Sequence, residues 1–397
     1  MSVFDSVLGQ EQAVNELKRA VADAAKVAIG ERGDAMTHAW LVTGPPGSGR
    51  STIALAFAAS LVCPNGGCGT CVDCRNVATG IHPDVEHVVP EGVVYTVAHA
   101  DALIERASLS PSRSSWHVIV VEDVDRFQLN AVPKLLKSIE EPPPHTVWIL
   151  CAPTVDDVLP TINSRCRHVL LNSPTLVDVA AQLTNRFGVD SAMAAFAARA
   201  AQGHLGRARA LATDEQARLK RSETLDIPTR LSTVSSCYEI ASTIVANANA
   251  EADRAIAPLE QQDEQDVRMA FGEGAEGKGF KSIDRAIKRE MKSLEDRFKA
   301  RRRRMVADAY DRILLDLTGY YRDILVVQSG SQVGLINEEL RPAIERIADQ
   351  DETAQTLNRI DAIREARDQL IANVAPLSVF ESLLVTLRDP KLVRIGK

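Results

Sequence analysis

Gly44-Pro45-Pro46-Gly47-Ser48-Gly49-Arg50-Ser51 decides how the first part of this chain is read. The turn joins His38-Ala39-Trp40-Leu41-Val42-Thr43, which reads as a short buried strand, to the apolar run Ser51 to Val62, which lacks Gly and Pro and reads as a helix. A glycine-rich loop that opens a helix lets backbone N–H groups close on an anion, at the end where the helix dipole also favours negative charge. The stretch follows the Walker A phosphate-loop pattern at Gly44, Gly49 and Ser51, with Gly47 inside the loop. It departs at Arg50, where the pattern asks for Lys to reach the β- and γ-phosphates. A planar, delocalised guanidinium is no simple replacement for a compact ammonium. The expectation is a degenerate nucleotide site.

Four cysteines come directly after that helix. Cys63, Cys68, Cys71 and Cys74 are spaced C-x4-C-x2-C-x2-C within CPNGGCGTCVDC, and the small and turn-forming residues between them let four thiolates converge on one tetrahedral Zn²⁺. Four ligands close the coordination sphere, so the metal is expected to be structural. Disulfides are the competing account, and a reducing cytosol argues against them. Cys151 and Cys237 read as small hydrophobes in a strand and a helix.

At 397 residues the chain is long enough for two or three domains. Hydrophobic residues at 45% and charged residues at 25% are ordinary for a soluble globular protein. Met1 to Gln12 lacks the basic-then-apolar order of a signal peptide, and no apolar stretch approaches the roughly 18 residues of a membrane span, so a cytoplasmic location is expected. A net charge of −7 argues against a surface that coats DNA throughout. The segment Lys278 to Arg304 carries 12 Lys/Arg against 4 Asp/Glu, a local +8 that leaves −15 elsewhere. Within it, Arg301-Arg302-Arg303-Arg304 point all round a helix, which reads as a solvated surface. Contact with DNA or an acidic neighbour is the other reading. Asp84, Glu86, Asp101 and Glu105 are too scattered for a catalytic carboxylate pair.

Strands are expected at Trp40 to Thr43, Val85 to Val89, His117 to Val121, Val147 to Cys151 and His168 to Leu171, alternating with helices in an α/β pattern. Asn172-Ser173-Pro174-Thr175 breaks that pattern and offers a helix start. Beyond it the chain is rich in Ala, Leu and Arg with helical periodicity. The expected division is an α/β domain over 1–175 containing the cysteine module 63–74, a small helical lid over 176–215, and an all-helical domain over 216–397 with long helices at Lys281 to Val326 and Asn337 to Leu387. Phe271 to Gly279 reads as a mobile loop.

Further blocks make the order recognisable. Phe4-Asp5-Ser6-Val7-Leu8-Gly9-Gln10 resembles the N-terminal box of AAA+ ATPases, and His117-Val118-Ile119-Val120-Val121-Glu122-Asp123-Val124-Asp125 looks like a Walker B strand. Leu135-Leu136-Lys137-Ser138-Ile139-Glu140-Glu141-Pro142-Pro143 and Ser164-Arg165-Cys166 are similar to blocks of the bacterial DNA polymerase III clamp-loader family. The resemblance is tight over 1–175 and loose beyond. It implies an AAA+ P-loop domain with an inserted zinc module, a lid, and a C-terminal collar joining subunits in a ring of five. That ring would act on a sliding clamp and primed DNA during replication, in the nucleoid-associated replisome.

That family contains working ATPases, gamma or tau, and two partners with impaired sites, delta and delta-prime. Several departures favour a stator of the delta-prime kind over a motor. Glu122-Asp123 reverses the usual Asp-then-Glu order and moves each carboxylate by about one methylene, and misplacements near 1 Å can cost on the order of 10²-fold in rate. Gly203-His204-Leu205-Gly206 has glycine where motor subunits carry a sensor arginine, with Arg207 one residue later. Ala152-Pro153 stands where they carry hydroxyl or amide groups. The resemblance thus implies a site formed by Gly44, Gly47, Gly49, Arg50, Ser51, Glu122 and Asp123 that holds ATP or ADP weakly without hydrolysing it. It also implies that Arg165 is a finger for a neighbouring subunit's ATP, with gamma/tau and delta chains as partners.

Overall fold

A computed structural model describes residues 2–90, 94–270 and 280–390. The chain divides into two compact units, 1–213 and 214–397.

In the first unit, helix α1 (Glu11–Ala28) precedes strand β1 (Ala39–Thr43), and the glycine loop leads into α2 (Arg50–Val62). Then come α3 (Val72–Thr79), β2 (Val85–Val88), α4 (Val97–Ala107), β3 (His117–Val121), α5 (Val132–Glu140), β4 (Thr146–Ala152), α6 (Pro160–Asn163) and β5 (Arg167–Leu170). The five strands form one parallel sheet in the order β2-β3-β4-β1-β5. The expected strands are all present, with ends moved by one residue at most.

Strands β1, β3 and β4 are buried on both faces, as parallel strands covered by helices require. Alternation then sorts their side chains. Trp40, Val42, Val118, Val120, Val147, Ile149 and Cys151 pack with α1 and α2, while Leu41, Ile119, Val121, Trp148 and Leu150 pack with α4 and α5. The chain leaves β1 for the far edge, returns through β3 and β4, and places β5 on the other side of β1. Ligands of open α/β sheets bind beyond the carboxyl ends of the strands at such a reversal, and the glycine loop leaves β1 there. Helices α7 (Leu176–Phe187), α8 (Ser191–Ala200) and α9 (Leu205–Thr213) complete the unit. Thr175 caps α7 by accepting the Asp178 N–H.

The second unit is helical throughout its described residues: α10 (Glu215–Leu225), α11 (Ile227–Arg230), α12 (Val234–Ala270), α13 (Phe280–Gln328), α14 (Arg341–Gln350), α15 (Thr353–Ile371) and α16 (Pro376–Arg388). Asn337 to Leu387, expected as long helices, is broken into three. Pro342 and Pro376 open α14 and α16, the backbone is extended at Asp351, and Asn373 takes a left-handed turn at φ 61°. Cys237 is fully buried in the core of this unit, beside Leu314, Leu317 and Phe380. Helices α12 and α13 run antiparallel, with Arg312 on Glu251 and Arg302 on Asp253. Arg301 and Arg303 are exposed, as a solvated helix surface requires. The expected loop at 271–279 lies outside the described residues. Among the described residues no helix is long and apolar enough to cross a membrane.

Candidate functional site

Gly49, left-handed at φ 89°, precedes the first turn of α2, which starts at Arg50 and continues with Ser51. The loop is tightly held. Gly44 N–H donates to the Pro153 carbonyl and Ser48 N–H to the Pro45 carbonyl, while the buried Gln10 amide bridges the carbonyls of Ser48 and Asn172. A β-carbon on Gly44 would lie 2.6 Å from Ser48 Oγ, and one on Gly47 would lie 2.6 Å from the Cα of His204. Residue 204, just before α9, is therefore pressed onto the glycine loop from the helical side. Burial, helped by the charges of Arg207 and Arg50, holds the His204 imidazole below its ordinary pKa.

Arg50 Nη2 lies 3.8 Å from Asp123 Oδ1, with both side chains mostly buried. Asp123 is itself left-handed at φ 49° and also meets Arg126 at 3.4 Å. Its neighbour Glu122 faces His87 on β2, with Oε1 2.7 Å from the ring Nε2. Both carboxylates of the reversed pair are thus engaged by protein cations or donors, and the loop's own cation is turned onto one of them. Burial, then the nearby Asp123 charge, raise the Asp125 carboxyl above its usual range. Thr43 Oγ1, Ser48 Oγ and Arg50 Nη1 are buried without a hydrogen-bond partner. Such orphaned groups are uncommon, and these three suit an anion. The loop therefore fits a phosphate in its donors, while the Arg50–Asp123 pair opposes it.

The four cysteine sulfurs lie within 4.8 Å of one another, with Cys63 3.8 Å from Cys68 and 3.6 Å from Cys71. Zn–S bonds of about 2.3 Å at tetrahedral angles place sulfurs roughly 3.8 Å apart, so the donor set fits the metal. The N–H groups of Asn65, Cys71 and Cys74 each sit 3.4 Å from a sulfur. Hydrogen bonds led by the Thr70 N–H hold the Cys68 thiol down to about 6, whereas burial pushes Cys74 up. Four thiolates this close repel one another, and a bound dication removes the conflict. Zn²⁺ on Cys63, Cys68, Cys71 and Cys74 would tie the end of α2 to the start of α3 and leave no coordination position for substrate.

A buried network beside this module was not legible in advance. Asp84 accepts from the Ser112 N–H and hydroxyl on one oxygen and from the Arg113 and Ser114 N–H groups on the other, at 2.6–2.8 Å. Burial alone would raise its pKa, but these donors outweigh burial and hold the carboxyl well below the usual range. Glu86 pairs with Arg106 and Asp101 with Lys134, both at the surface. Arg165 lies outside this region, on the turn between α6 and β5. It is about a third exposed and is paired with Glu140.

The fold and these two clusters define an α/β domain with a glycine loop at a sheet reversal and a four-thiol module inserted after its first loop helix. A family model described as DNA polymerase III, delta subunit, matches residues 10–175. The delta' subunit of Bacillus subtilis (strain 168) is 34% identical over 137 residues, 34% of this chain and 42% of that one. A gamma subunit from Buchnera aphidicola subsp. Acyrthosiphon pisum is 34% identical over 139 residues, 34% of this chain and 38% of the relative. The gamma/tau subunit of Mycobacterium tuberculosis (strain ATCC 25618 / H37Rv) is 30% identical over 194 residues, 47% of this chain and 32% of that one. Over about its first half, the chain is therefore similar to delta', gamma and gamma/tau subunits of DNA polymerase III. It spans between 32% and 42% of the length of these relatives.

Proposed function

We propose that this chain is a stator subunit of the delta-prime kind in a DNA polymerase III clamp loader, working with gamma/tau and delta chains in a ring of five. Its part in loading a sliding clamp onto primed DNA would be to shape the ring and to supply Arg165 to a neighbour's ATP, without turnover at its own loop. The observation that carries this reading is Arg50 turned onto Asp123. A cation already paired with a carboxylate has less to offer a γ-phosphate, and the Glu122-Asp123 order leaves the water-positioning group misplaced. ATP or ADP would bind weakly through the loop N–H groups and the unpaired Ser48 hydroxyl. The lid of this reading is the α7–α9 helices, the collar is the helical second unit, and Zn²⁺ holds the module together.

Steady-state ATP hydrolysis tests the reading. The purified chain should show no turnover, and Arg50→Lys should not restore it, because Asp123, Glu122 and His204 keep their places. In the assembled complex, Arg165→Ala should leave incorporation intact and depress turnover at one site by about 10³-fold or more. A gamma/tau-type motor is the second reading, favoured by the identity shared with gamma chains. Robust turnover by the isolated chain would establish the motor and sink the stator.

A further inference from the structure

The turn Ser164-Arg165-Cys166 sends its side chains in different directions. Cys166 packs inward against the core cluster on the α4–α5 side of the sheet, where burial pushes its thiol up to about 12. Arg165 points outward and is held on two of its three nitrogens. Nε faces the Glu140 carboxylate, and Nη1 donates to the Thr161 carbonyl at 2.7 Å and the Ser164 hydroxyl at 3.3 Å. Glu140 is the last residue of α5, and Glu141-Pro142-Pro143 ends the helix directly after it, which fixes where the carboxylate is presented.

An ion pair with both partners more than a third exposed contributes little to folding, so stability does not account for it. Its effect is on direction. A long, unanchored arginine samples many rotamers, all but one of which are given up when the fork meets a phosphate, and anchoring one edge removes that cost beforehand. We propose that Glu140 is a positioning residue for Arg165. It holds the guanidinium on its Nε side and so fixes the direction in which the group is presented to an anionic group on a neighbouring subunit, the γ-phosphate of bound nucleotide. The proposal rests on the reading of Arg165 as a trans-acting group.

The test uses the assembled complex carrying Arg165→Ala, Glu140→Ala, Glu140→Gln, or Arg165→Ala with Glu140→Ala. The turnover lost in Arg165→Ala defines the Arg165-dependent fraction. Glu140→Ala should lower that fraction about tenfold at saturating ATP, since small misplacements of a reacting group are costly. KM for ATP should change less than twofold, and melting temperature and incorporation should match wild type. Glu140→Gln, which keeps an oxygen for Nε, should fall between. The double variant should be no slower than Arg165→Ala alone. If Arg165→Ala is slow while both Glu140 variants turn over at the wild-type rate or faster, the positioning role is overturned and the finger stands. A further loss in the double variant overturns it as well, because Glu140 would then act elsewhere. Wild-type turnover by Arg165→Ala removes the finger itself, and the proposal with it.

Discussion

Asp84 illustrates how one buried side chain can hold a loop and make it sensitive to acid. It is 2% exposed and takes four donors from Ser112, Arg113 and Ser114. Asp84→Asn would turn one accepting oxygen into an NH₂ group facing two backbone N–H donors. Buried hydrogen bonds to a charge contribute roughly 1.5–3 kcal/mol each, so the variant should lose about 2–3 kcal/mol at neutral pH after relaxation. Because the folded state holds this carboxyl below its unfolded range, the stabilisation is complete above the unfolded pKa, near 3.9. It is lost as pH falls from there through the depressed folded value. In thermal melts of both proteins from pH 7 to pH 3, the gap should therefore hold steady down to about pH 4 and begin to narrow below it. A gap that stayed constant with pH would show that the charge is not the cause. Arg50 shows the complementary limit of reading residues alone: the departure from Lys was visible in sequence, but its pairing with Asp123 depends on a left-handed residue at the end of β3.

Strands were legible to within a residue because a parallel sheet buried on both faces demands short continuous apolar runs, as in Val118-Ile119-Val120-Val121. The cysteine module was equally plain, since convergence of four sulfurs depends on short turns whose residues are written in the chain. His204 was not legible as a wedge on Gly47, because that contact joins residues 157 positions apart and no local pattern encodes it. The breaks in Asn337 to Leu387 could have been read from Pro342, Asn373 and Pro376, but helical periodicity on either side masks them. For the cysteine element the expected outcome is one Zn²⁺ per chain, with four sulfurs at about 2.3 Å by X-ray absorption. Chelation, or Cys71→Ser, should lower the melting temperature of the first unit. Two sulfurs or fewer on the metal would overturn the assignment.

Each of the two compact units has a hydrophobic core of its own. The first buries Trp40, Phe57, Trp148 and Leu41 on the two faces of its sheet, and the second buries Leu317, Tyr320, Ile324, Phe380 and Leu384 among helices. A further network anchors the second unit internally. The Arg221 guanidinium, 6% exposed, meets Asp316, Glu339 and Asn337, and the fully buried Asp323 accepts the N–H groups of Ile336 and Asn337. Among the described residues, each core cluster is drawn from one unit, and domains with cores of their own generally fold alone. A fragment of residues 1–213 should therefore express as a folded protein, retain zinc, and melt cooperatively by circular dichroism. At about 200 residues it is large enough to bury an adequate core, so no compensating staple beyond the zinc is required. The same fragment keeps the Arg50–Asp123 pair and the His204 contact, and it should bind no more ATP than the whole chain in equilibrium dialysis. A fragment that bound nucleotide much more tightly would show that the second unit, and not the Arg50–Asp123 pair, restrains the loop.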